Sequence, residues 1–247
     1  MTTKNQTDIR PKKAMILAAG LGKRMRPLTE KTPKPLIIVQ GKALLDHGLD
    51  ALERAGVEET VVNVHYMADQ IINHIENSSR DMKITISDET NDLLDSGGGI
   101  KKALPMLEGG PFYLLNADSF WIEGFVPNLQ RMSETWNSEK MDFLLLLSSM
   151  SNAIGFGSKG DFTMAGDGRL KRRREGQVAP FAYAGGAIVN PAVFNSSPEG
   201  AFSLNRLFDQ SLEKERLFGL RLDGLWLHVG TPEAIREAED AILRSAA

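Results

Sequence analysis

Residues 14–36 read AMILAAGLGKRMRPLTEKTPKPL, and the pattern within them decides the fold. Met15-Ile16-Leu17-Ala18-Ala19 is a short apolar run of the kind that forms a strand buried on both faces. Gly20-Leu21-Gly22 then breaks the run, because glycine reaches backbone conformations closed to other residues. Lys23, Arg24, Arg26, Lys31 and Lys34 follow, five cations within twelve residues. Small residues let backbone N–H groups approach an anion, and nearby cations neutralise it. Pro27, Pro33 and Pro35 predict a loop held extended rather than helical. A buried strand, a glycine turn and a stiff basic loop together predict a polyphosphate cradle.

The rest of the chain supplies partners for that cradle. Ala43–Ala55 places Leu44, Leu45, Leu49 and Leu52 at helical spacing, with Gly56 as a stop. Thr60–His65 is a β-branched strand, Met67–Asn77 a helix with Ile71, Ile72 and Ile75 on one face, and Met82–Ser87 an alternating strand. Asp95-Ser96-Gly97-Gly98-Gly99 reads as a loop, followed by a helix through Ile100, Ala103, Leu104 and Leu107. Pro111–Asn116 is an apolar strand ending at Ala117-Asp118, Val126–Trp136 a helix and Met141–Ser149 a central strand. Strands alternating with helices over short connections predict an α/β fold: a mostly parallel sheet with helices on both faces. Ligands then sit beyond the carboxyl ends of the strands, so 18–26, the loop before 100, and 116–119 face one crevice.

From Gly155 the texture becomes hairpin-rich. Asp161–Met164 and Arg169–Arg173 flank an Ala165-Gly166-Asp167-Gly168 turn, and Ala182–Val189 is a further strand. A helical turn at Pro191–Phe194 and a helix over Leu204–Arg216 follow. Leu217–Leu222 and Leu225–Val229 predict a hairpin around Asp223-Gly224, and a last helix begins at Thr231-Pro232-Glu233. Residues 1–12 read as a disordered lead-in, and 13–247 as a single domain.

Composition narrows the class. The 247 residues carry 42% hydrophobic and 25% charged side chains, ordinary for a globular protein with a real core. A net charge of −3 offers nothing global to nucleic acid, so a polyanion site must be local. Cysteine is absent, which excludes disulfides and thiolate metal sites and fits a cytoplasmic setting. No apolar run approaches ~18 residues, so no membrane segment is expected. Nothing in the sequence sets an oligomeric state.

The Gly20-Leu21-Gly22 turn is not a dinucleotide fingerprint, since the third glycine is missing and prolines follow. It is not a P-loop either, lacking Gly-Lys-Ser/Thr at the required spacing. Asp118, at the end of an apolar strand, needs a cationic partner or a hard metal ion such as Mg²⁺. The Lys171-Arg172-Arg173-Arg174 run reads either as a solvated hairpin or as a site for an anionic acceptor.

Ala18-Ala19-Gly20-x-Gly22-x-Arg24-Met25-x-Pro27-Leu28-Thr29, with Pro33-Lys34-Pro35-Leu36, strongly resembles the sugar-1-phosphate nucleotidyltransferases. The likeness continues through Leu94–Ile100, Asn116-Ala117-Asp118 and Trp226-x-x-Val229-Gly230-Thr231-Pro232. It implies a Rossmann-like fold with a C-terminal sugar-binding half. It implies that nucleoside triphosphate and sugar 1-phosphate are the partners, with Mg²⁺, or Mn²⁺, as the cofactor. By this resemblance Ala18, Ala19, Gly20, Gly22, Lys23, Arg24 and Lys34 wrap the triphosphate. Gly97 and Gly98 line base and ribose, Asn116 joins the nucleotide site, and Asp118 is the main metal aspartate. Arg24, Lys34 and Asp118 carry the catalysis. Relatives commonly hold a second metal aspartate where this chain has His228. His228 then ligates the metal, or contacts phosphate while Asp118 holds the ion alone, or marks impaired chemistry.

Within that family, the short length and the Ser-Gly-Gly-Gly-Ile loop look most like the N-acetylmuramate-1-phosphate uridylyltransferases of peptidoglycan recycling. Guanylyl transfer to mannose 1-phosphate and uridylyl or thymidylyl transfer to glucose 1-phosphate are the alternatives. A nucleotide-binding regulator without catalysis is the rival from another class.

Overall fold

The apolar run that opens the decisive stretch becomes an interior strand of the main sheet, in a computed structural model that describes residues 10–245. In chain order the first elements are β1 (Lys13–Leu17), β2 (Ile38–Val39), β3 (Lys42–Ala43), α1 (Leu44–Arg54), β4 (Glu59–Val64), α2 (Ala68–Glu76) and β5 (Lys83–Asp88). Next come α3 (Asp95–Ala103), β6 (Phe112–Asn116), β7 (Ser119–Glu123), α4 (Asn128–Thr135), β8 (Phe143–Ser149) and β9 (Ala153–Ile154). The chain ends with β10 (Phe162–Met164), β11 (Leu170–Arg172), β12 (Phe181–Val189), α5 (Asn205–Glu213), β13 (Leu217–Arg221), β14 (Gly224–His228) and α6 (Pro232–Ser245).

The main sheet runs β5-β4-β1-β6-β12-β8-β13, with the β10-β11 hairpin attached to β12. β5, β4, β1 and β6 pair in parallel, β12 runs against β6 and β8, and β13 is again parallel to β8. The sheet is therefore mostly parallel, with β12 and the outer hairpin strand β11 reversed. Period-two alternation sends Ala14 and Ile16 to one face, with Leu45 and Leu49 of α1 and Ile71 of α2. Met15 goes to the other face, with Ile100 of α3 and Leu207 and Phe208 of α5. Each buried leucine or isoleucine in these layers contributes about 1.5–3 kcal/mol. A second sheet, β7-β14-β9, packs with α6 over a third core around Met25, Phe120 and Leu227.

Four expectations change. The loop after β1 is not extended: Lys23–Met25, Leu28–Glu30 and Lys34–Leu36 are 3₁₀ turns. Proline is accepted at the start of such a turn, where its missing N–H is not needed, and Pro35 occupies that place. The three glycines lie inside the first turns of α3 rather than in a loop before it. The expected 217–229 hairpin does not form, because β13 closes the edge of β8 while β14 crosses into the second sheet. Asn128, fully buried, sets that divergence by donating from Nδ2 to the Asp223 carbonyl and accepting the Asp223 N–H at Oδ1. The lead-in expected over 1–12 lies outside the described residues as far as residue 9. Its end is anchored, since Pro11 is buried and the Lys12 carbonyl accepts the Glu58 N–H.

Candidate active site

A cavity of about 660 Å³ opens beyond the carboxyl ends of β1, β4, β5 and β6. Its walls are the 18–25 loop, Lys34, Asn63, Glu89, the 93–96 segment, residues 116–118 and Gly230. Segments far apart in sequence converge there because parallel strands bring all their carboxyl ends to one edge.

The loop after β1 is fixed from behind. Gly22 sits at φ +60°, and a Cβ there would stand 2.9 Å from the Thr29 methyl group. Thr29 Oγ1 donates to the Gly22 carbonyl, and Tyr66 Oη donates to the Thr29 carbonyl. The backbone is therefore set before any ligand arrives, while Lys23 and Arg24 remain exposed on the turn. Arg24 leans toward Gly230: a Cβ on Gly230 would lie 3.6 Å from Arg24 Nη1 and 2.7 Å from His228 Nε2. The bare glycine lets both side chains approach the same place.

Lys34 crosses the loop to pair with Asp118, Nζ to Oδ2 at 2.9 Å, with the side chains 12% and 29% exposed. Burial alone would raise the Asp118 carboxyl. The Lys34 ammonium, with His228 and Arg24 farther off, more than offsets that and holds it below the usual carboxylate range. Burial pushes the His228 imidazole down, Lys34 and Arg24 add to this, and Asp118 opposes it. His228 is thus a neutral ring at neutral pH, packed edge-on to Phe156 and near Trp226. β14 ends beside this segment, pairing His228 with Ser119 while the Val229 N–H donates to the Asp118 carbonyl, and the imidazole and the Asp118 carboxylate interact electrostatically.

A carboxylate beside a neutral imidazole is a donor set that fits a divalent cation completed by substrate phosphate oxygens. Among the described residues no three His, Cys, Asp or Glu side chains gather to hold a metal by themselves. Such a cation would therefore share its coordination with the substrate.

Of the residues singled out from the sequence, Ala18, Ala19, Gly20, Gly22, Lys23, Arg24, Lys34, Asn116 and Asp118 all line the cavity. Gly97 and Gly98 do not. Both donate their N–H to the Phe202 carbonyl, and a Cβ on Gly97 would stand 2.3 Å from the Phe202 ring. Their bareness admits the 200–202 segment against α3. In the basic hairpin, Arg172 pairs with Asp209 and Arg173 donates to the Gly160 carbonyl, so both hold the hairpin in place. Lys171 and Arg174 stand exposed.

Asn63 and Glu89 line the cavity without having been expected there. Asn63 carried a sign in the sequence: it is the one amide inside the β-branched TVVNV run, and a buried amide needs partners. β7 was missed because Ala117-Asp118, a two-residue turn between β6 and the SFWIE stretch, reads in the sequence as the end of a strand rather than the hinge to another.

The family profile described as "Nucleotidyl transferase" matches residues 13–159. Over 232 residues, 93% of this chain, it is 44% identical to an N-acetylmuramate alpha-1-phosphate uridylyltransferase from Caulobacter vibrioides, covering 96% of that relative.

This chain belongs to the sugar-1-phosphate nucleotidyltransferases.

The nucleotidyltransferase is also 34% identical to the Neisseria meningitidis N-acetylmuramate alpha-1-phosphate uridylyltransferase over 229 residues, 92% of this chain and 96% of that one. A probable mannose-1-phosphate guanylyltransferase from Arabidopsis thaliana is 30% identical, and the match, 89% of this chain, covers 62% of that relative. Among solved structures, HddC from Yersinia pseudotuberculosis complexed with GMP-PN has a TM-score of 0.74 at 21% identity, covering 93% of this chain and 99% of that one. That likeness is one of fold.

Proposed function

We propose that the nucleotidyltransferase transfers UMP from UTP to N-acetylmuramate alpha-1-phosphate, releasing pyrophosphate. The observation that carries the chemistry is the meeting of the fixed basic loop, Lys34 and Asp118 at one cavity mouth. The choice of substrate follows the relatives that match it almost end to end.

The sugar-phosphate oxygen is already an anion, so attack on the α-phosphorus requires no general base. One phosphorus–oxygen bond forms to the acceptor, and the bond to the β-phosphate bridge breaks with its electron pair leaving on pyrophosphate. The protein's task is to align two mutually repelling polyanions and stabilise the charge that develops. In this reading Lys34, now paired with Asp118, neutralises the α-phosphate, and Arg24, exposed on its turn, takes up charge on the leaving pyrophosphate. Asp118 and His228 would hold Mg²⁺, or Mn²⁺, which would supply Lewis-acid neutralisation of phosphate oxygens. Among the described residues no helix is long and apolar enough to cross a membrane. A cytoplasmic place in peptidoglycan recycling is the setting this reaction would have.

The test is a matrix of four nucleoside triphosphates against several sugar 1-phosphates, N-acetylmuramate alpha-1-phosphate, mannose 1-phosphate and glucose 1-phosphate among them, read as pyrophosphate. UTP with N-acetylmuramate alpha-1-phosphate is the expected productive pair. Preference for GTP with mannose 1-phosphate would overturn the assignment, and nucleotide binding without any pyrophosphate would turn the protein into a regulator.

A further inference from the structure

Beneath the cavity floor lies a polar chain that the proposed chemistry does not use. The Ala18 N–H donates to Asn63 Oδ1 at 2.7 Å, and Asn63 Nδ2 donates to Glu89 Oε1 at 2.7 Å. The Leu94 N–H, just ahead of α3, donates to Glu89 Oε2 at 3.2 Å. Asn63 and Glu89 are 2% and 1% exposed. A carboxylate so buried with only neutral donors is costly, and the positive end of α3 offsets part of that cost. Gly99 makes room for the pair: a Cβ there would lie 2.6 Å from Glu89 Oε1 and 3.0 Å from Asn63 Nδ2.

The chain joins two separate walls of one cavity. At one end is the first residue of the phosphate loop, and at the other the segment that leads into Asp95 and Ser96. Its donor and acceptor pattern is directional, since Asn63 can accept from Ala18 and donate to Glu89 in only one amide orientation.

We propose that Asn63 and Glu89 are positioning residues for the nucleotide, a strut that sets the spacing between the phosphate loop and the 93–96 wall. The strut acts through Ala18 and Leu94 and not by touching the reacting atoms. This rests on the reading of the cavity as a nucleoside triphosphate site.

Reversing the polarity tests it. Glu89→Gln leaves one donor facing another whichever way the new amide turns, and Asn63→Asp sets two carboxylates against each other. In Asn63→Asp/Glu89→Gln, the carboxylate placed on β4 accepts from Ala18 and from the new amide, whose oxygen accepts from Leu94, so all three hydrogen bonds return. UTP binding is measured by calorimetry, and kcat and KM with the productive sugar phosphate. Each single variant is expected to weaken UTP binding about tenfold with kcat held within about threefold, and the double variant to recover most of the loss. Gly99→Ala removes no polar group and favours the helix, yet presses on Glu89, so weaker UTP binding is expected there too.

A double variant that binds no better than the worse single, or singles that bind like the parent, overturns the strut. If a single variant fails to fold, the double variant decides: folding with near-parent UTP affinity supports the strut, and anything less overturns it. Absence of UTP binding by the unmodified protein would instead overturn the nucleotide reading beneath it.

Discussion

Lys34 Nζ stands 2.9 Å from Asp118 Oδ2, although 84 residues separate them in sequence. The pair joins the basic loop to the end of β6, so each charge is neutralised before substrate is present. In the proposed reaction a triphosphate would compete for Lys34 and a cation for Asp118. Occupation of either side therefore frees the other.

Replacing Lys34 with methionine keeps most of the side-chain volume and removes the charge. Turnover is expected to fall by about 10²–10³, the scale of losing one preorganised stabiliser of transition-state charge. Near-parent pyrophosphate release from Lys34→Met or Asp118→Ala would show that these residues do not carry the chemistry.

The same exchange predicts an opposite response in cation binding. Without nucleotide, Lys34→Met is expected to bind Mn²⁺ more tightly than the parent protein, because Asp118 has lost its internal counter-charge. Electron paramagnetic resonance of free Mn²⁺ reads this directly, with Asp118→Asn as the control that binds least. Equal Mn²⁺ affinity in parent and Lys34→Met would break the link.

His228→Asp gives the site a second hard oxygen donor. The Mg²⁺ concentration for half-maximal turnover is expected to drop, and the ratio of Mn²⁺ to Mg²⁺ activity to fall with it. Unchanged metal titrations would assign His228 to phosphate contact or packing instead.

His47 ties stability to pH. It stacks on Phe120 at 3.9 Å, its Nε2 faces the Val39 carbonyl, and burial lowers its pKa from the ordinary value. The folded state then holds that proton less tightly than the unfolded one. The contribution is fully present above about pH 6.5 and is lost as pH falls through the lowered folded value. Thermal melting is expected to decline on acidification across that window, and less so in His47→Gln. Parallel pH profiles for the two proteins would count against it.

Gly97→Ala opposes helix propensity to packing. Alanine favours a helix over glycine by about 1 kcal/mol, but its methyl group would meet the Phe202 ring and carbonyl. Overpacking of this kind typically costs about 1–3 kcal/mol, so a lower denaturant midpoint is expected. A stabilised variant would mean that the 200–202 segment moves aside freely.

Much was legible from the chain alone. Met15–Ala19, Thr60–Val64 and Phe112–Asn116 announce buried parallel strands by composition, and the order of strands and helices places their carboxyl ends together. Ala18–Arg24, Lys34, Asn116 and Asp118 were legible as neighbours of one crevice, and the structure gathers them at one cavity. The β7-β14-β9 sheet, the parting of β13 from β14, the packing role of Gly97 and Gly98, and the Asn63–Glu89 pair were not. Those belong to tertiary structure. A backbone hydrogen bond, a close glycine contact or a buried ion pair depends on which distant segment arrives opposite, and periodicity within a segment carries no record of that neighbour. The sequence by itself determined a phosphate-binding α/β nucleotidyltransferase. Only the folded structure decided that Lys34 neutralises Asp118 and that a buried amide and carboxylate link two walls of the cleft.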